Sequence, residues 1–192
     1  TSGKMQTELG FQAYFRWVHD DHDAFSLLFG SGARRDAEFA KAVRRVVDST
    51  AEAIALALLQ HRGLRVITNN LNVAAILSDA PGCEVTVAGG QVRSRDRGII
   101  GETTVEFISQ FRVDIGVIGI SGIESDGSLR DFDVREVKVA QAIMRASRQV
   151  WLAADHSKFD RPAMVALGHL EQVHRLFTDQ PPPPHFQALL DS

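Results

Sequence analysis

From residue 64 onward, short apolar runs alternate with stretches of helical spacing. Leu64-Arg65-Val66-Ile67 reads as a buried strand, and Leu71 to Leu77 as a helix. Glu84 to Ala88 is a second strand and Thr103 to Phe111 a second helix. Val113 to Ile120, rich in Ile, Val and Gly, is a third strand. Asp133 to Ala146 is a helix, with Asp133 and Glu136 spaced as a capping box. Gln149 to Ala153 is a fourth strand and Val173 to Phe177 a fifth. Strands that are apolar on both faces need cover on both, and strand-helix-strand crossovers supply it. The predicted fold class is therefore α/β: an open, mostly parallel sheet with helices on both faces. In such sheets ligands sit at the carboxyl ends of the strands.

The flanks read differently. Residues 1–48 form a divergent N-terminal segment: a helix over Met5 to His22, a strand over Phe25 to Phe29 and a basic helix over Arg34 to Val47. No winged helix-turn-helix is recognisable there. Ser49 and Glu52 fit a capping box for a helix reaching about His61. Residues 49–180 form the main domain. Pro181 to Pro184 make a stiff extended spacer, leading to a short final helix within 181–192.

Composition narrows the function. The 192 residues are 44% hydrophobic, enough for a compact core. The 21 Lys and Arg against 24 Asp and Glu give a net charge of -3, which argues against a free-standing nucleic-acid binder. The lone Cys83 excludes an internal disulfide and the usual zinc clusters. Neither a metal site nor a cofactor motif is read. No apolar run approaches a membrane span and the N-terminus lacks a secretory pattern, so the expected location is cytoplasmic.

Candidate chemistry clusters after the strands. Gly89-Gly90 and Gly119-Ile120-Ser121-Gly122 are loops where backbone N–H groups could approach an anion. Thr68-Asn69-Asn70 offers a hydroxyl and amides to a phosphate or a sugar, although one of them also suits a helix cap. Asp155-His156-Ser157-Lys158-Phe159 follows the fourth strand. Lys158 is its natural phosphate partner, set against a surface salt bridge with Asp155 or Asp160. His156 lacks a visible neighbour to orient it as a general base. Arg93-Ser94-Arg95-Asp96-Arg97 is a basic run that could bind phosphate or contact another subunit, with a solvated face as the default reading. Glu136 could bond a ligand hydroxyl or serve only as a cap.

Taken together, these stretches resemble the sensor domain of the DeoR-type transcriptional repressors. The resemblance runs from Leu64 to Ala74, through Ala88-Gly89-Gly90, Arg93 to Asp96, Gly98 to Glu102 and Phe107 to Phe111. It continues through Gly119 to Ile123, Ser125 to Leu129 and Asp155 to Phe159, and ends at Thr178-Asp179. It covers about three quarters of the chain. The resemblance implies a fold similar to sugar-phosphate isomerases such as ribose-5-phosphate isomerase. It also implies a homo-oligomer and a phosphorylated effector, here glycerol-3-phosphate or a related ester, that releases operator DNA.

The departures are specific. The family's glycine-threonine-threonine phosphate loop is represented only by Asp48-Ser49-Thr50, without the glycine. Gly30-Ser31-Gly32 is an alternative cradle. A glycine common after the arginine-serine-arginine-aspartate run is Arg97 here, and a helical lysine-arginine pair falls on Ala140 and Gln141. Operator DNA would therefore be reached only through a reader not recognisable in this chain. Two other readings stay open: an isomerase-like enzyme using Glu136, Asp155 or His156, and a sensor remnant acting through oligomerisation.

Overall fold

The computed structural model describes residues 50–190, which form two compact units dividing between Thr86 and Val87. The readings over residues 5–49, Asp48 and Ser49 included, lie outside the described residues.

The first unit contains α1 (Thr50–Leu58), β1 (Leu64–Thr68), α2 (Leu71–Ser78) and β2 (Cys83–Val87), whose last residue lies across the boundary. β1 and β2 pair in a two-stranded sheet. Asn70 caps α2: its side chain accepts from the backbone N–H groups of Asn72 at 2.9 Å and Val73 at 3.1 Å. Those donors have no partner inside the helix, and the cap is worth about 1 kcal/mol. The Glu52 carboxylate accepts from the Asn72 amide, which joins α1 to α2.

The second unit opens with a hairpin of β3 (Gln91–Val92) and β4 (Ile99–Ile100), followed by α3 (Glu102–Ser109) and β5 (Val113–Gly119). Next come β6 (Gly122–Ile123), β7 (Ser128–Asp131), α4 (Val134–Ala146) and β8 (Ser147–Ala153). The chain ends with β9 (Val165–His169), β10 (Arg175–Phe177) and α5 (Gln187–Leu190), with short 3-10 turns between. β5, β8 and β10 make a parallel sheet with β8 in the middle. The central position explains the run of apolar residues in β8: Val150, Trp151, Leu152 and Ala153 are all buried.

A second sheet, β6-β7-β9, is antiparallel. None of its strands was predicted: Gly122-Ile123 and Ser128 to Asp131 are too brief to carry a period-two signal, and Val165 to His169 mixes small and polar residues without one. The turn at Asp126-Gly127 joins them. Asp126 accepts from the Ser128 N–H, and Gly127 takes a φ of 87° that favours glycine.

Helix α4 separates two apolar clusters. Val137 joins Ile118, Val150 and Leu152 of the parallel sheet with Ile123, Leu129 and Leu167 of the antiparallel one. Val139, Ala142 and Ala146 join Ala88, Ile100 and Ile108. Burying aliphatic side chains of this size contributes about 1.5–3 kcal/mol each before chain entropy is subtracted. Among the described residues no helix is long and apolar enough to cross a membrane.

Two expectations are corrected here. The Asp133–Glu136 capping box does not form. Asp133 caps α4 through the Arg135 N–H, but the Glu136 side chain turns to Arg93. The run from Arg93 to Arg97 is not a uniformly solvated face. It is the β3–β4 loop, closed by an Arg93 N–H bond to the Gly98 carbonyl, and Arg93 tucks inward between two carboxylates.

Candidate functional site

Parallel register sets the rim of the second unit. Gly119, Ala153 and Phe177 lie level at the carboxyl ends of β5, β8 and β10. The segments that leave them, 120–121, 154–158 and 178–179, therefore emerge from one edge of one sheet, where open α/β sheets take their ligands. The Ala154 N–H bonds the Phe177 carbonyl at 3.0 Å, and Ile123 bridges Phe159, so these segments stay close beyond the strands.

The side chains on this rim are polar and interlocked. The Asp155 carboxylate caps a 3-10 turn by accepting from the Ser157 N–H at 2.8 Å, and meets the Lys158 ammonium at 3.2 Å. Burial pushes the Asp155 carboxyl up, but the bonds from Ser157 and the charge of Lys158 outweigh it and hold it below the ordinary carboxylate range. Of the two partners proposed for Lys158, Asp155 is the one observed, while Asp160 meets His185 at 3.0 Å. Ser121 donates to the buried Asp131 at 3.0 Å.

The expectation that nothing orients His156 is corrected. Asp179 accepts from the His156 backbone N–H at 2.7 Å and faces its Nδ1 at 2.6 Å. Sequence reading missed Asp179 as a site residue because 23 positions separate the pair. The signal available was its place just past the last parallel strand.

The glycines divide by role. A Cβ on Gly90 would overlap the Thr104 hydroxyl, which donates to the Gly89 carbonyl at 2.8 Å. A Cβ on Gly122 would collide with the Arg161 carbonyl. Both are therefore demanded by packing inside the unit, whatever else they do. Gly89 has open space where a Cβ would stand, and Gly119 has little more than a distant carbonyl there.

Arg93 is 15% exposed and is held by Asp96 and Glu136. Its bond to Glu136, opposed by burial and reinforced by Asp96, raises the guanidinium above its ordinary value. Asp96 is pushed up by burial, yet Arg93 and the Gly98 N–H bring it below the usual carboxylate range.

In the first unit, Thr68 is buried at the end of β1, and its hydroxyl oxygen accepts from the Asn70 N–H at 3.1 Å. Asn69 lies between them, half-buried, and Asn70 is committed to the cap of α2. Thr50 opens α1. Among the described residues no three His, Cys, Asp or Glu side chains gather closely enough to hold a metal ion.

The DeoR C-terminal sensor domain family matches residues 47–180, more than two thirds of the chain. The chain belongs to that family. Over 137 residues this DeoR sensor domain is 55% identical to the glycerol-3-phosphate regulon repressor of Escherichia coli, covering 71% of this chain and 54% of that protein. It is 54% identical to the Haemophilus influenzae protein of the same name, over 71% of this chain and 53% of that one. It is 44% identical to the E. coli HTH-type transcriptional repressor CsqR, over 75% of this chain and 55% of that one. The chain spans about half the length of these relatives. All three are named as repressors and none as an enzyme.

Proposed function

We propose that this DeoR sensor domain binds a phosphorylated small molecule, glycerol-3-phosphate in the first instance, and that binding controls the hold of a homo-oligomeric repressor on operator DNA. The observation that carries the reading is the meeting of unlike groups on one sheet edge. Lys158 supplies a cation for the phosphate, while Asp155 can accept hydrogen bonds from hydroxyl groups. A polyol phosphate carries both kinds of partner. Backbone N–H groups near Gly89 and Ser121 would add neutral donors.

The pairing of Lys158 with Asp155 suits such a sensor. A phosphate monoester carries nearly two negative charges at neutral pH and competes for the ammonium against a single carboxylate. Binding that favours one arrangement of the repressor over another then shifts its affinity for DNA. The names of the relatives support the choice of glycerol-3-phosphate.

Calorimetry and thermal unfolding test this. Glycerol-3-phosphate should bind saturably and raise the melting temperature, while glycerol should do neither. Ligand at 100 times its Kd adds about 2.7 kcal/mol of stability. Lys158→Ala should remove most of that gain. The absence of heat and of any thermal shift at millimolar ligand would reject the proposal.

A further inference from the structure

One C-terminal segment grips the loop that carries Lys158 at three successive places. Asp179 takes the His156 backbone N–H and ring Nδ1 at 2.7 and 2.6 Å. Phe186, wholly buried, stacks edge-on against Phe159 with ring centroids 5.1 Å apart. His185 meets Asp160 at 3.0 Å. Asp160 is held at a φ of 54°, a conformation that a non-glycine residue rarely adopts without support.

The prolines between these anchors have a mechanical consequence. Pro183 sits at φ -54° and ψ 143°, near the polyproline II conformation, and the Phe186 N–H closes a turn onto its carbonyl. The expected extended spacer therefore stops at Pro183, since Pro184 opens a 3-10 turn over Pro184–Phe186, and the fixed φ of each proline leaves the run little freedom to lose on folding. It keeps Asp179 and Phe186 at a set separation. Leu189 and Leu190 then pack against the core and anchor the far end.

A carboxylate only accepts hydrogen bonds, so the His156 nitrogen facing Asp179 must carry its proton whether the ring is neutral or charged. The other nitrogen, Nε2, makes no hydrogen bond among the described residues, and the side chain is 52% exposed.

We propose that Asp179–Phe186 is a clamp that holds the Asp155–Asp160 loop ready for ligand, with Asp179 a positioning residue that fixes His156 so that Nε2 meets an oxygen of a phosphate monoester. The role of Nε2 rests on the sensor reading given above. The clamp itself rests on contacts within the chain.

The test uses the full chain with 15N-labelled histidine. In ligand-free protein, Asp179→Ala should move the His156 imidazole from a single Nδ1–H form towards a mixture of tautomers. Amide exchange over residues 156–160 should quicken. The double change Pro182→Gly, Pro183→Gly keeps every gripping side chain and should also speed loop exchange. Glycerol-3-phosphate affinity should fall roughly tenfold in Asp179→Ala, the loss expected for one charge-assisted contact, and Asp179→Glu should recover part of it. Unchanged tautomer and unchanged loop exchange in both variants would overturn the clamp, whatever the ligand does. If wild-type protein does not bind glycerol-3-phosphate, the role of Nε2 is overturned with the sensor reading, and the spectroscopy and exchange still decide the clamp.

Discussion

Arg93, in the loop of the β3–β4 hairpin, pairs with Glu136 on the first turn of α4, 43 residues away. The same guanidinium grips Asp96 within its own loop. One side chain thus closes a loop and ties it to the helix that divides the two apolar clusters. Because Arg93 is largely covered, neither carboxylate finds an equal replacement in water when it is removed.

Removing this tie should therefore be felt in stability before any ligand is added. Arg93→Ala should cost about 2 kcal/mol, the scale of hydrogen bonds to charged groups. Arg93→Lys should recover little, since an ammonium cannot serve two carboxylates with one planar fork. Urea unfolding without ligand measures both. A wild-type midpoint in Arg93→Ala would free Arg93 for a purely ligand-facing role.

The Gly89-Gly90 turn gives a second expectation. Gly90 has a φ of 148°, and a Cβ there would overlap the Thr104 hydroxyl and stand 2.8 Å from the Ile100 carbonyl. Gly101 has a φ of 114° but open space around a Cβ. Gly101→Ala should cost only backbone strain, about 1–2 kcal/mol. Gly90→Ala should cost at least about 1 kcal/mol more, because buried neighbours must also move. Equal losses in thermal unfolding would show that the turn yields more easily than its packing implies.

Arg97 offers the opposite case. It adopts a φ of 59°, a left-handed conformation that favours glycine. Arg97→Gly should stabilise the chain by about 1 kcal/mol, since glycine avoids the Cβ penalty there. The greater freedom of glycine in the unfolded chain will trim that gain. A lower denaturant midpoint in Arg97→Gly would mean that the side chain's own contacts outweigh its backbone cost.

Acid should loosen the second unit. Asp96 and Asp155 both have carboxyls held below their ordinary value of 3.8 in the folded chain. Depressed folded values mean that the unfolded chain binds protons first, so stability falls as pH falls. This contribution is fully present above the unfolded value, near pH 4, and is lost as the pH drops below it through the folded values. Asp96→Asn should be less stable than wild type at pH 6, and the gap should narrow by pH 3. Parallel pH profiles for the two proteins would contradict this origin.

How much was legible depended on how local the cause was. Leu64 to Thr68 and Val113 to Gly119 were readable as strands because short runs rich in Val and Ile favour them, but Leu64 to Ile67 is not the buried run expected: Arg65 is exposed and Leu64, Val66 and Ile67 are only half-buried. The helix over Val134–Ala146 was readable because its apolar period and its cap, Asp133, lie within one stretch of chain. The place of the Asp155–Phe159 segment on the carboxyl edge of the sheet was legible because it directly follows a parallel strand. By contrast, Glu136 had the right spacing for a capping box and still turned elsewhere, because Arg93 offered a charge where the cap offered a backbone N–H.

The main helices, the strands of the parallel sheet, the α/β class and the family are all encoded in residues close together along the chain. Folding alone brings Asp179 to His156, sets Phe186 behind Phe159 and turns Arg93 inward. Those contacts join residues tens of positions apart. Their strength comes from burial and from charged groups with no better partner in reach, and neither exists until the sheet has closed.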